Sequence, residues 1–297
     1  IIENHIIPAL GRVKLSRLSS MHIQSMYNEL KDHGRRNSDG TYAYEPISVS
    51  YLRHIHMVLN SCLNQAVKDR LIPYNPCENC RLPKLQKKEM VVLPADKIGA
   101  YLEAAKQRGV YPMLLLELTS GLRKGELLAL NWSDLDVDTR TLKVNKQISR
   151  INGELVVSAP KTANSIRNVV LPQQTVDALV EEHKRHPESP LMFCSPRTTG
   201  YWCPDAMYRL HKNILLDAGI DMSIRFHDLR HTFATLAIQN GVDVKTLASM
   251  LGHFSAAFTL DTYTHVTEDM QRGAAEKIGG FISANIQINV NLISQKE

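Results

Sequence analysis

Five short motifs stand in a fixed order along this chain of 297 residues, and they constrain its fold more than its composition does. They read Gly-Leu-Arg-Lys-Gly-Glu at 121–126, Pro-Lys-Thr at 160–162, His-Asp-Leu-Arg-His at 227–231, Leu-Gly-His at 251–253 and Asp-Thr-Tyr-Thr-His at 261–265. Each motif combines an ionisable side chain with a glycine or a proline, or spaces two such side chains three or four residues apart, as on one face of a helix. A fold that uses the motifs together must gather distant segments around one site.

Four of these side chains have chemistry that suits a phosphodiester. Arg123 and Arg230 carry guanidinium groups, which stay protonated and fit nonbridging phosphate oxygens in a bidentate manner. Lys161 lies in a predicted loop, from which a flexible ammonium can protonate a leaving oxygen. Tyr263 is the candidate nucleophile, and a phenol with an ordinary pKa near ~10 needs neighbouring cations or a base to attack phosphate at neutral pH.

Helical spacing places two further side chains beside the arginines. Glu126 follows Arg123 by three residues and shares its helical face, so it can hold the guanidinium in place. His227 precedes Arg230 by three residues and presents an imidazole on the same face. His231 follows His227 by four residues, which opens a metal alternative. The zinc-protease pattern needs Glu after the first His, whereas this chain has Asp there, so we expect no metal.

Together these motifs resemble those of the tyrosine recombinase (phage integrase) family, over about Leu18 to Lys277. The start of the chain, with Ile-Pro-Ala-Leu-Gly at 7–11, resembles integrases of conjugative transposons and Gram-positive phages. The resemblance implies two domains: an all-α N-terminal core-binding domain, and a mixed α+β catalytic domain that is mainly helical with a small antiparallel sheet. It also implies a small DNA-binding domain upstream of these residues, and since the sequence opens without Met we expect it to be a fragment of a longer protein.

The resemblance also implies a role for each site residue. The two arginines bind the scissile phosphate, and His253 donates a hydrogen bond to it. Lys161 is the general acid for the 5′-hydroxyl leaving group, and His227 is the base for Tyr263. Tyr263 forms a 3′-phosphotyrosine link with the DNA. Glu126 supports the site from behind.

The implied function is site-specific DNA recombination that integrates and excises a mobile element. The reaction stores bond energy in a protein–DNA ester, so we expect no cofactor and no ATP. The expected partners are double-stranded DNA at the element ends and target site, a homotetramer on that DNA, and an accessory DNA-bending or excision factor; no membrane is involved. A type IB topoisomerase-like enzyme and a noncatalytic DNA-binding regulator are the alternatives.

Composition shifts suggest the domain limits. We predict a helical DNA-binding domain at 1–84, a basic linker at 85–90, a catalytic domain at 91–278 and a tail at 279–297 that contacts another subunit. Residues 1–88 hold 13 Lys and Arg against 7 Asp and Glu, whereas the rest of the chain is close to neutral. A basic domain suggests a polyanionic partner, although a merely solvated basic surface explains the charge equally well.

The predicted helix at 48–71 and the linker carry the candidate DNA-binding side chains. They are basic and lie on the polar face of the helix or among the prolines that follow it: Arg53, His56, Lys68, Lys84, Lys87 and Lys88. The family resemblance implies that this helix approaches the major groove, and most of the affinity should come from phosphates.

The catalytic half shows helical and strand patterns in turn. Predicted helices cover about 94–108, 112–120, 123–130, 173–186, 204–218, 227–240 and 243–251. Between them, 141–148 and 154–158 flank an Asn-Gly hairpin turn at 152–153, and 167–171 forms a third strand. A short helix after Tyr263 is expected to end at the glycine pair 279–280, and 286–292 alternates as a strand.

Cysteine use indicates a reducing, cytoplasmic compartment. The chain has five Cys and no secretory segment, so we expect free thiols. Cys77 and Cys80 have zinc-knuckle spacing but lack a second pair, and structural zinc needs four ligands.

Overall fold

The structure of the chain, a computed structural model, describes residues 1–34, 46–85, 90–160, 165–196 and 198–252, together with positions 257, 259, 272, 275, 276 and 278–280. The chain divides into two compact units, Ile1–Glu89 and Met90–Glu297.

The first unit is built from helices. A turn at Ile2–Ile6 continues into α1 (Ile7–Leu10), and α2 (Ser20–His33) and α3 (Val49–Lys68) form its main body. Ser48 caps α3 by accepting from the Tyr51 N–H at 3.2 Å. Such a bond satisfies one of the free donors at a helix start.

Apolar residues at helical spacing give this unit its own core. Ile23, Tyr27, Leu52, Ile55 and Leu59 are buried between α2 and α3. The polar face of α3 is thereby left at the surface, as the amphipathic spacing predicts.

Seven α-helices with both ends described belong to the second unit. They are α4 (Ile98–Gln107), α5 (Tyr111–Ser120), α6 (Lys124–Leu127), α7 (Gln173–Arg185), α8 (Pro204–Asp217), α9 (Phe226–Gln239) and α10 (Val244–Leu251). Helix α5 is apolar on nearly all sides because it lies in the centre of this unit, against α4, α7 and α9.

Among the described residues, five short strands form two antiparallel sheets. β1 (Leu135–Asp136), β2 (Thr141–Val144) and β5 (Arg167–Val170) form one sheet in the order β1-β2-β5. β3 (Gln147–Ile151) and β4 (Glu154–Ser158) form a separate hairpin. The mainly helical fold with small antiparallel sheets confirms the predicted fold class.

Three details differ from the predicted elements. The strand expected at 141–148 is divided, because the chain leaves the first sheet at Lys146, whose ammonium is held by Asp134 at 2.6 Å. Helix α6 ends at Leu127, since the N–H groups of Ala129 and Leu130 donate to carbonyls three residues back, those of Glu126 and Leu127. Residues 278–280 are helical, so the helix does not stop before the glycine pair as predicted.

The strand predicted at 286–292 lies outside the described residues. No described helix is long and apolar enough to cross a membrane. All five cysteines are described, and all are free thiols.

Candidate active site

The turn between α5 and α6 positions the first arginine. Gly121 ends α5 with φ of +60°, a left-handed conformation that glycine adopts without strain. A Cβ atom on Gly121 would lie 2.3 Å from Cδ1 of Phe233 and 3.0 Å from Cδ2 of Leu251. The motif therefore needs glycine both for the backbone angle and for the close approach of α9 and α10. Arg123 then opens α6.

Glu126 holds Arg123 by two bonds, as the spacing predicts. Nη1 of Arg123 donates to Oε1 of Glu126 at 2.8 Å, and the backbone N–H of Arg123 donates to Oε2 at 2.9 Å. The Glu126 side chain is 1% exposed, whereas that of Arg123 is 37% exposed. The buried Glu126 therefore fixes Arg123 from the protein interior, while part of the Arg123 side chain faces solvent.

Arg230 lies on α9 and is almost fully buried. Its Nη1 donates to the carbonyl oxygen of Gly121 and its Nη2 to that of Leu251, each at 2.7 Å. These bonds join the turn before Arg123 to the end of α10. Arg230 is thus hydrogen-bonded to the turn that carries Arg123, the other predicted phosphate-binding arginine.

A third arginine, Arg167, belongs to this group and was missed by the sequence reasoning. It lies at the start of β5 and donates to Glu126, with Nη2 to Oε2 at 2.9 Å and Nη1 to Oε1 at 3.2 Å. The strand alternates, so Arg167 and Val169 face inward while Asn168 and Val170 face outward. A charged residue at an inward position of an alternating strand is the signal that could have found it.

The C-terminal end of α10 is the point where the three arginines meet. Three consecutive carbonyl oxygens accept from three different guanidinium groups: that of Met250 from Arg167 at 2.6 Å, that of Leu251 from Arg230 at 2.7 Å and that of Gly252 from Arg123 at 3.4 Å. A helix C-terminus carries free carbonyls and partial negative charge, which suits cations. His253 follows this end directly in the sequence.

His227 lies one turn before Arg230 on α9, as predicted. Its ring centroid is 4.9 Å from that of His231, in an edge-to-face arrangement. Burial, with the nearby His231 and Arg230, lowers the pKa of His227 to about 4. The imidazole is therefore neutral near pH 7 and able to accept a proton. The neighbouring Asp228 binds Arg225: Nη2 of Arg225 donates to Oδ1 of Asp228 at 2.7 Å.

A buried acid, Glu117, lies on α5 near these charges and was also missed. Its carboxyl is fully buried, and neither oxygen has a hydrogen-bond partner among the described residues. Burial raises its pKa well above the ordinary value, although Arg230 and Arg167 act in the opposite direction. A single acid in the apolar run Met-Leu-Leu-Leu-Glu-Leu at 113–118 is the sequence signal for it.

The other three predicted catalytic residues, Lys161, His253 and Tyr263, lie outside the described residues. Two described residues, one directly before His253 and one four residues after Lys161, contact the arginines. Gly252 contacts Arg123, and the carbonyl oxygen of Ser165 accepts from Arg167 Nη1 at 3.1 Å. Among the residues with described positions, no group of three or more His, Cys, Asp or Glu is placed to hold a metal ion.

The predicted DNA-binding residues of the first unit have mixed settings. Lys68 and Lys84 are exposed, and Arg53 is exposed but donates to the carbonyl oxygen of Pro83 at 2.9 and 3.2 Å. His56 is half-buried, and its Nδ1 lies 2.9 Å from the Tyr27 hydroxyl. Lys87 and Lys88 lie outside the described residues.

Two known family profiles match this chain. The phage integrase family profile matches residues 92–270, and the profile of the phage integrase N-terminal SAM-like domain matches residues 1–31. The chain therefore belongs to the phage integrase family. It is an enzyme of the tyrosine recombinase class, as predicted.

Named relatives cover most of the chain. A tyrosine recombinase XerC-like protein of Caldanaerobacter subterraneus is 28% identical over 90% of this chain and 72% of its own length. The ICEBs1 integrase of Bacillus subtilis is 27% identical over 94% of this chain and 75% of its own length. The tyrosine recombinase XerC of Chlamydia muridarum is 31% identical over 69% of this chain and 64% of its own length.

Solved structures share the fold. The Tn1549 transposon integrase bound to a circular intermediate DNA matches with a TM-score of 0.74 at 20% identity, over 91% of this chain and 88% of that one. A lambda integrase tetramer bound to a Holliday junction matches with a TM-score of 0.63 at 18% identity, over 87% of this chain and 68% of that one. The named relatives are recombinases and integrases, which favours neither the topoisomerase nor the regulator alternative.

Proposed function

We propose that this chain cuts and rejoins double-stranded DNA at specific sites, through an ester between Tyr263 and a 3′-phosphate, to integrate and excise a mobile element. The observation that carries the proposal is the convergence of Arg123 and Arg230, beside a neutral His227, on the turn at Gly121 and the end of α10. Two fixed guanidinium groups suit a phosphodiester that gains negative charge while it is attacked.

The proposed reaction exchanges one ester for another. The phenolic oxygen of Tyr263 bonds to the scissile phosphorus and gives its proton to His227, while the bond from phosphorus to the 5′-oxygen breaks. Lys161 supplies the proton that the departing 5′-oxygen takes up. A 5′-hydroxyl from a second strand then attacks the phosphotyrosine and releases the tyrosine. The number of ester bonds is unchanged, so the reaction needs no nucleotide hydrolysis.

The arginines act before and during bond exchange. Arg123, with part of its guanidinium exposed, is placed to reach a nonbridging oxygen. Arg230 is buried, so it would meet the phosphate only at the floor of the site. Because both groups are already held by carbonyls and Glu126, little reorganisation is needed as charge develops on the phosphate.

DNA is the proposed partner of both units. The basic excess of residues 1–88 and the exposed Lys68 and Lys84 support phosphate contacts from the first unit. Binding should weaken steeply with salt, because phosphate contacts release counterions. The DNA complexes of the Tn1549 and lambda integrases, the latter a tetramer, support DNA binding and assembly of four subunits here. The tail at 279–297 is the proposed contact between subunits.

A suicide substrate tests the proposed function. The chain is incubated with a nicked duplex that carries the end of its own element, so that the short fragment released by cleavage cannot be rejoined. The expected result is a denaturant-resistant protein–DNA adduct that disappears in Tyr263→Phe. Tyr208→Phe, a change at an exposed tyrosine of α8, is the matched control and should leave the adduct intact. Tight DNA binding without any adduct would contradict the proposal and favour a regulator.

A further inference from the structure

We propose that Arg167 is a positioning residue for recombination, which holds Glu126, and through it Arg123, in place against the end of α10. The inference rests on the function proposed above. It concerns a residue outside the six predicted catalytic positions and assigns it a role without contact to DNA.

The hydrogen bonds of Glu126 show how one carboxylate joins two arginines. Oε1 accepts from Nη1 of Arg123 at 2.8 Å and from Nη1 of Arg167 at 3.2 Å. Oε2 accepts from the backbone N–H of Arg123 at 2.9 Å and from Nη2 of Arg167 at 2.9 Å. Arg167 thus binds the carboxylate in the two-pronged geometry that a guanidinium makes and an ammonium does not.

Burial separates the roles of the two arginines. The side chain of Arg167 is 5% exposed and that of Glu126 is 1% exposed, whereas 37% of Arg123 is exposed. Arg123 is therefore able to meet a ligand, while Arg167 lies beneath it. Arg167 acts on the phosphate only through Glu126.

The remaining donors of Arg167 join two other segments of the site. Its Nε donates to the carbonyl oxygen of Met250 at 2.6 Å, at the end of α10 three residues before His253. Its Nη1 also donates to the carbonyl oxygen of Ser165, four residues after Lys161. One side chain therefore contacts the α6 motif, the segment before β5 and the end of α10.

The charges around Glu126 support the same positioning role for Arg167. Burial acts to raise the pKa of Glu126, but the bond and charge of Arg167, together with Arg123, lower it below the ordinary value. Without Arg167, Arg123 would be the one guanidinium partner left to the buried carboxylate among the described residues. We expect Arg123 to be drawn inward and away from the phosphate position.

The test compares adduct formation by wild type, Arg167→Met and Arg167→Lys on two versions of the nicked duplex. One carries the natural scissile phosphate, and the other carries an uncharged methylphosphonate at that position. Rates are measured at saturating DNA, at a temperature where circular dichroism shows each variant folded. Arg108→Met, which removes an arginine paired with Asp217, is the matched control.

If Arg167 positions Arg123, Arg167→Met should slow adduct formation on phosphate by about 100-fold, the size expected of a misplaced catalytic group. Arg167→Lys should recover only part of the rate, because an ammonium cannot bind both carboxylate oxygens. On methylphosphonate the loss should be several-fold smaller, since less charge needs the Arg123 guanidinium. The double variant Glu126→Gln/Arg167→Met should be no slower than Glu126→Gln alone, whereas Arg108→Met should match wild type.

Two results would overturn the inference while leaving the proposed function intact. One is wild-type adduct formation by folded Arg167→Met, or by Arg167→Lys if the methionine variant does not fold. The other is an equal loss on phosphate and methylphosphonate, which would indicate a general structural role. Absence of any Tyr263-dependent adduct with wild type would instead overturn the proposed function, and this inference with it.

Discussion

Arg230 donates a hydrogen bond of 2.7 Å to the carbonyl oxygen of Gly121, across 109 residues of sequence. Gly121 lies two residues before Arg123, so the position of the second arginine is tied directly to the turn that carries the first. The distance between two guanidinium groups decides whether they fit one phosphate. This bond, with that to Leu251, makes the distance a property of the fold rather than of ligand binding.

Arg230→Lys tests the importance of these two hydrogen bonds. Lysine keeps the charge but cannot reach the Gly121 and Leu251 carbonyls in the fixed fork of a guanidinium. We expect adduct formation to fall by at least about 100-fold, the scale of losing a preorganised donor at a developing charge. DNA binding should change much less, because it is summed over many phosphates.

The measurement is single-turnover cleavage of the nicked duplex beside a DNA-binding titration. Arg225→Lys is the matched control, since Arg225 lies directly before the same helix and its guanidinium pairs with Asp228. Equal losses in the two variants would show that the helix, rather than the carbonyl bonds of Arg230, sets the rate.

Gly121→Ala should destabilise the second unit strongly. The added Cβ would lie 2.3 Å from Phe233 in a backbone held at φ of +60°. A left-handed non-glycine residue costs about 1–2 kcal/mol, and the overlap adds about 1–3 kcal/mol more. Urea unfolding measures the loss.

Gly109→Ala provides the comparison for this change. Gly109 has a φ of +72° and nothing within 4 Å of its Cβ position, so only the backbone cost applies. We expect a loss of about 1–2 kcal/mol there. Similar losses at the two glycines would mean that α9 and α10 yield to the new methyl group.

The elements that carry strong periodicity were predictable from the sequence. Helices α9 and α10 lie within about one residue of their predicted limits, because caps and glycines mark their ends. The pairing of Arg123 with Glu126 followed from spacing alone. The division of the predicted strand at 141–148 did not, since it depends on a contact between Lys146 and Asp134 that no local pattern encodes.

The buried ionisable residues around the site, Arg167 and Glu117, were harder to predict from the sequence for a physical reason. Arg167 and Glu117 are charged residues within apolar patterns, and their partners come from distant segments. Sequence periodicity shows that such positions face inward, but it does not show what neutralises them. The predicted roles of Lys161, His253 and Tyr263 stay predictions.

The low pKa of His227 predicts where the reaction rate falls on the acid side of its pH profile. At sub-saturating DNA, the rate reports ionisations of the free enzyme. A base with a pKa of about 4 stays neutral as the pH falls from 7 to 5, so the rate should hold until near pH 4–5. An ordinary histidine would lose its base form already near pH 6.5.

His231→Gln is the variant that checks the cause. The nearby His231 contributes to the lowered pKa of His227, so its removal should move the acid limb to higher pH. His54→Gln, a change at an exposed residue of α3, should leave the profile unmoved. An acid limb near pH 6.5 in wild type would contradict the assignment of His227 as a buried neutral base.

Glu117 predicts a stability that falls as the pH rises. Its pKa is raised in the folded chain, so above the ordinary carboxyl pKa the folded state holds a proton that the unfolded state has lost. Stability increases with pH only where the unfolded state binds more protons, and here the folded state binds more. The contribution of Glu117 is therefore most favourable below about pH 4.3 and declines through the window up to its raised pKa.

Glu117→Gln removes this titration while keeping the shape of the side chain. We expect the variant to unfold like wild type at pH 5 and to be more stable by about 1–3 kcal/mol at pH 8, the scale of an unpartnered buried polar group. Urea unfolding at the two pH values measures the difference. Glu181→Gln, an exposed change on α7, should show no such dependence on pH. If Glu117→Gln gave the same stability change at pH 5 and pH 8, the pKa of the Glu117 carboxyl would not be raised, and the Arg230 and Arg167 charges would then at least offset its burial.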